Sequence, residues 1–85
     1  MLNKGLEKVD PRTRKLVLEQ MQDLSLSIQN RRKKMGFTQE SLAEELDVSV
    51  NTIKYIEQGR RLPSLIMILR IAQVLKLRLA LQKAN

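Results

Sequence analysis

The sequence predicts an all-α fold, a bundle of four to five helices in one small domain. Three observations carry this expectation. Apolar residues recur at three- and four-residue spacing through most of the 85 residues. An Asp, Thr or Ser stands just ahead of each such run, where its side-chain oxygen can accept from the first free backbone N–H groups of a helix. Gly36, Gly59, Pro11 and Pro63 fall at the junctions between runs and not inside them.

The elements follow in order. Asp10-Pro11 starts the first helix, with Asp as N-cap and Pro at the first helical position. Leu16, Val17, Met21, Leu24 and Ile28 then continue at near-helical spacing towards Gly36. A break near Asp23 or Ser25 is expected, either residue being able to cap a second helix, because a small domain rarely needs so long a rod. Thr38 caps the next helix, whose apolar face is Leu42, Ala43 and Leu46. Asp47 takes the exit position, where Asp tolerates left-handed backbone better than most non-glycine residues. Ser49 caps a helix to about Gln58, with Ile53 and Ile56 as its buried stripe, and Gly59 closes it. After a loop at residues 60–63, Ser64 caps a last helix to about Leu75.

Two features at the C-terminal end point beyond a single chain. Leu65, Ile68, Leu69, Ala72 and Leu75 would suffice for the core, yet Ile66, Met67 and Val74 are apolar too. A helix apolar nearly all round is buried on more than one side; a dimer interface is the expected second side, with a thicker monomer core formed with residues 11–24 as the alternative. Leu77, Leu79 and Leu81 then alternate with Arg78, Ala80 and Gln82, the period of a half-buried strand. A lone strand needs a partner edge, so a short C-terminal β-strand pairing across a homodimer is expected. The plainer reading extends the last helix, since Leu77 and Leu81 also fall at helical spacing.

Sixteen Lys and Arg against nine Asp and Glu give +7, unevenly spread. Residues 1–24 carry +1, residues 25–37 carry +4, residues 38–58 carry −4 and residues 59–85 carry +6. Basic flanks around an acidic middle favour a phosphate-bearing partner met by particular surfaces, not by a uniformly basic tail. There is no Cys and no His, the acids form no paired arrangement, and no glycine-rich phosphate loop occurs. These absences argue against catalysis, and no cofactor or metal is expected. The N-terminus lacks the apolar core of a secretory signal, and the apolar run at 65–75 is interrupted by Arg70 and Gln73 and too short to span a bilayer. No membrane partner and a cytoplasmic location are expected.

The two short helices around "ELDVSVNT" describe a helix-turn-helix, with small Ala43 permitting close approach and Val48 plugging the corner. From Leu24 to Leu77 the chain resembles the Cro/phage-repressor (XRE) family of DNA-binding domains. The matching pieces are Gly36-Phe37-Thr38-Gln39, Leu42-Ala43, Leu46, Val48-Ser49, Thr52-Ile53, Ile56-Glu57, Gly59 and Pro63. One departure is Asp47, where the family usually has Gly. The resemblance implies a lambda-repressor-like fold, with residues 1–22 a partly helical N-terminal extension, 23–76 the helix-turn-helix domain and 77–85 the tail.

The resemblance also implies roles. The helix at 49–58 would lie in the major groove of double-stranded DNA, with Val50, Asn51, Thr52 and Tyr55 toward base edges. Gln39, Lys54, Arg60 and Arg61 would meet phosphates. Arg32 and Glu57 match the family's partly buried structural ion pair, leaving Lys33 or Lys34 free for phosphate. Ile66, Met67, Val74, Leu77, Leu79 and Leu81 are the expected dimer interface. Such a chain would be a repressor or autoregulator of transcription. The leucine-alternating tail resembles HipB-type antitoxins, which adds a toxin protein as a second partner. Alternatives are a restriction–modification controller, or a protein-interaction module of the same fold that does not bind DNA.

Overall fold

A computed structural model describes residues 6–81 and 83 of the chain. Residues 1–5 of the expected extension, and 82, 84 and 85 of the tail, lie outside the described residues. Four helices follow in order: α1 Pro11–Lys34, α2 Gln39–Leu46, α3 Val50–Glu57 and α4 Leu65–Val74. Each begins at a side-chain cap, Asp10, Thr38, Ser49 and Ser64 respectively. A cap of this kind is worth about 1 kcal/mol at an ordinary site.

The expected break in the first helix is absent. α1 runs unbroken for 24 residues, and the longest dimension of the molecule is 38 Å. The reason lies in Ser25. Its hydroxyl does not cap a new helix but donates to the carbonyl of Ile56 on α3 at 2.8 Å, in a buried contact. The serine satisfies its polarity through tertiary structure, and nothing then interrupts the α1 backbone.

The core forms where α2 and α3 pack on each other, α1 on α3 and α4 on α2. Leu42, Leu46, Ile53, Ile71 and Leu75 are fully buried, with Ile28, Ala43 and Ile56 nearly so. Burying one such large aliphatic side chain is worth about 1.5–3 kcal/mol. On α4 the buried stripe differs from the expected one. Ile71 and Leu75 are enclosed and Met67 and Val74 pack against the core, whereas Leu65 and Leu69 are exposed. With Arg70 and Gln73 as its only polar residues, the helix leaves a wide apolar arc, and packing selects which part of that arc faces inward.

The tail leaves α4 after Lys76, whose φ is +55°. The Leu77 N–H donates back to the Ala72 carbonyl at 2.8 Å. The tail therefore does not continue α4. Nor is there a strand among the described residues, since ladder hydrogen bonds require a second edge. Leu77, Leu79 and Leu81 are exposed.

A buried ion pair braces the helices. Arg32, near the end of α1, donates from Nε to Glu57 Oε2 at 2.6 Å and from Nη2 to Oε1 at 3.1 Å. Its Nη1 also donates to the Phe37 carbonyl at 2.8 Å. Gln39, the first residue of α2, donates its amide to Glu57 Oε1 at 3.1 Å. One carboxylate on α3 therefore holds α1 and α2 together. At the other end of α1, Arg14 donates to the carbonyls of Leu6, Glu7 and Val9 and secures the preceding turn, where Leu6 is buried.

Two outcomes follow from this framework. Arg32→Ala strands the Glu57 carboxylate inside the protein and should cost about 3 kcal/mol or more in a urea melt. The paired change Arg32→Met with Glu57→Leu should cost markedly less. Equal losses would show that the stranded charge is not what destabilises. The second outcome concerns Asp10, whose carboxylate accepts from the Thr13 N–H at 3.2 Å. Its hydrogen bonds to Thr13 hold its pKa below the ordinary 3.8. The cap is therefore complete above that ordinary value and is lost as pH falls through the lowered folded one. The Thr13 amide resonance should shift over that range, and Asp10→Asn should abolish the titration.

Candidate nucleic-acid interface

The site is built from the turn between α2 and α3. Thr38 and Ser41 close a reciprocal capping box at 2.9 Å in each direction and so define where α2 begins. Asp47 ends it in the left-handed conformation, φ 56° and ψ 48°. The Val48 N–H then reaches back to the Ala43 carbonyl at 3.0 Å, the closure that turns a chain sharply off a helix end. Val48 packs on the core and Ala43 is buried, so the two helices approach closely at the corner. Asp thus performs at this turn the backbone task usually given to Gly.

α3 begins immediately after. Ser49 caps it by accepting the Thr52 N–H at 3.2 Å, and the two hydroxyls are 2.9 Å apart. Ile53, Ile56 and Glu57 face inward. Asn51 and Tyr55 face outward, the latter 39% exposed. Val50 is half-buried and packs against the core, so only part of it is offered outward. Lys54 is half-buried on the flank.

The segment after α3 folds back over this outward face. Gly59, at φ +70°, permits the reversal. The N–H groups of both Arg60 and Arg61 then donate to the Tyr55 carbonyl, at 2.9 and 3.2 Å. The Arg60 guanidinium lies over the Tyr55 ring, 5.2 Å from its centre. Arg61 reaches further back, donating from Nη1 to the Thr52 hydroxyl at 3.5 Å. Asn51, Thr52 and Tyr55 of α3, with Arg60 and Arg61 of the following loop, thus form one polar, cationic surface. Glu40, Glu44 and Glu45 are exposed on α2.

Not every residue expected to meet phosphate is free to do so with its full side chain. Gln39 is half-buried and bonded to Glu57. Within the basic run, Arg32 is consumed by the ion pair and Arg31 donates to the Leu75 carbonyl at 2.8 Å, whereas Lys33 and Lys34 remain exposed. Sequence reasoning missed Ser25, which tethers α1 to the end of α3, and Ser49 as the partner of the Thr52 hydroxyl. A signal for Ser25 existed: it is a small polar residue on the face shared by Met21, Ile28 and Arg32, a place that demands a buried acceptor.

Comparison with known proteins agrees with the helix-turn-helix arrangement of α2 and α3. A helix-turn-helix family model matches residues 28–82. Over 48 residues the chain is 50% identical to an uncharacterized HTH-type transcriptional regulator from Methanothermobacter thermautotrophicus, covering 56% of this chain and 70% of the relative. Over 46 residues it is 46% identical to the uncharacterized HTH-type transcriptional regulator YazB from Bacillus subtilis, covering 54% and 67%. No solved structure matches the chain significantly. The matched stretch takes in α2, the left-handed turn, α3 and α4 together, well over half of the sequence, and the chain belongs to the helix-turn-helix family.

Proposed function

We propose that the chain is a sequence-specific DNA-binding regulator of transcription that works as a homodimer. The observation that carries this is the outward face of α3, where Asn51, Thr52 and Tyr55 stand exposed or half-exposed beside Arg60 and Arg61. Asn can pair with both major-groove atoms of adenine, N6 and N7, and each good bidentate pair contributes about 1–3 kcal/mol of discrimination. The exposed lysines at the end of α1, and Arg60 after α3, suit DNA phosphates. The two named relatives are themselves described as transcriptional regulators.

The dimer rests on a separate feature. Leu62, Leu65, Ile66 and Leu69, with Leu77, Leu79 and Leu81 of the tail, are large apolar side chains left in water, Ile66 at 72% exposure and Leu81 at 98%. Apolar exposure of this extent marks an interface more often than a free surface. Met67 and Val74 pack on the core instead, so the interface we propose centres on Leu65, Ile66, Leu69 and the tail leucines. In a two-fold dimer the two α3 helices would enter the groove about 34 Å apart, one turn of DNA. An antitoxin role within this function, with a toxin as second partner, rests on the tail's alternating leucines alone.

The test is binding to the DNA upstream of the chain's own gene. Wild type should bind tightly and lose affinity steeply as salt rises from about 50 to 200 mM. Asn51→Ala with Tyr55→Ala should weaken specific binding by roughly 10- to 100-fold. A folded dimer without selective DNA binding would instead favour a protein-interaction module. For the interface, Ile66→Glu should yield a folded monomer in sedimentation and weaken operator binding by roughly 100-fold or more through lost bivalency. Unchanged sedimentation would move the interface elsewhere.

A further inference from the structure

We infer that Arg61 reads a guanine in the major groove, with Thr52 as its positioning residue, and is not one of the phosphate clamps. The inference rests on the DNA-reading function proposed above. Arg61 belongs to the loop after α3, yet its side chain runs backwards along the helix. Its N–H is tied to the Tyr55 carbonyl at 3.2 Å and its Nη1 lies 3.5 Å from Thr52 Oγ1. Thr52 sits in the first turn of α3, and its hydroxyl is held in turn by Ser49 at 2.9 Å. The guanidinium is therefore beside the N-terminal half of α3, the end that meets base edges when such a helix docks. Arg60 is disposed differently, over the Tyr55 ring one turn further on.

The chemistry of that place narrows the ligand. A guanidinium has five N–H donors and no acceptor, and the one Thr52 contact leaves the others for a partner. Among the described residues the ion pair found is Arg32 with Glu57, so Arg61 has no carboxylate neighbour. A cation beside the positive end of a helix dipole gains nothing from the helix. What suits it is a group with two adjacent acceptors, which in the major groove is the O6 and N7 edge of guanine. Adenine presents a donor beside its N7 and would face the guanidinium with like polarity. The Thr52 hydroxyl holds the guanidinium in place beforehand, so less side-chain freedom is lost on binding.

The experiment selects binding sites from random duplexes with the wild type. It then measures affinity for the best site and every single-base variant, at several salt concentrations, with Arg61→Ala, Arg61→Lys and Thr52→Val. Circular dichroism and urea melts verify that each variant is folded. Arg61→Ala should lose about 10- to 100-fold on the best site and become indifferent at one G·C pair. Arg61→Lys, which keeps the charge but not the fork, should relax the same pair. 7-Deazaguanine there should weaken the wild type and leave Arg61→Ala unaffected. Thr52→Val should flatten preference at that pair while retaining affinity for non-specific DNA. Uniform weakening by Arg61→Ala across all sequences, with the salt slope reduced by about one, would make Arg61 a phosphate contact and overturn the inference. Full preference in Thr52→Val would overturn the positioning role. A wild type that selects no sequence overturns the DNA-reading function itself, and the inference with it.

Discussion

A guanidinium and a carboxylate taken out of water together, Arg32 and Glu57, set the geometry on which the rest of this small molecule depends. Arg32 lies near the end of α1, Glu57 ends α3, and Gln39 opens α2, so three helices meet at one carboxylate. Such a pair is a weak source of net stability, because desolvation offsets most of its attraction. Its directional demands are nonetheless severe. Two parallel bonds from the fork to the carboxylate leave little latitude in how α1 and α3 cross. Ser25 adds a second tether, two helical turns back along α1 and again to the end of α3. Two fixed points along one helix orient it, and they hold the outward face of α3 in a constant attitude.

The same economy governs the arginines. A net charge of +7 suggests a broadly attractive surface, but several of these cations are spent on structure. Arg14 holds the N-terminal turn, Arg31 the end of α4, Arg32 the ion pair and Arg70 the carbonyl that ends α2. Each donates to a backbone or carboxylate oxygen within the fold. Among the described residues, no buried side-chain nitrogen or oxygen is left without a hydrogen-bond partner. Four arginines remain outward: Arg12 and Arg78 lie elsewhere, and Arg60 and Arg61 are gathered at α3.

α4 and the tail show the converse situation, apolar surface without an internal use for it. Ile71 and Leu75 complete the core, and beyond them the helix turns Leu65, Ile66 and Leu69 to the outside. The tail adds further exposed leucines. Within α4 itself the polar residues are Arg70, which is engaged with Leu46, and Gln73, and the tail adds exposed Lys76 and Arg78. A two-fold partner would cover this surface and, by the same operation, set a second α3 beside the first.

Local rules made much of this protein legible from its sequence. The caps at Asp10, Thr38, Ser49 and Ser64, the left-handed Asp47 and the corner Val48 act within about four residues of themselves, so composition and spacing are enough to find them. The α2–turn–α3 unit follows from those rules almost entirely. Three matters were decided only by tertiary structure. α1 is continuous because Ser25 finds an acceptor 31 residues away. The inward face of α4 was chosen by packing, since its sequence is apolar on nearly every side. The division of the arginines between scaffold and reading face depended on carbonyls 24 and 44 residues distant for Arg70 and Arg31. The physical reason is common to all three: a polar or apolar side chain states what it requires, and only the folded chain determines which distant group supplies it.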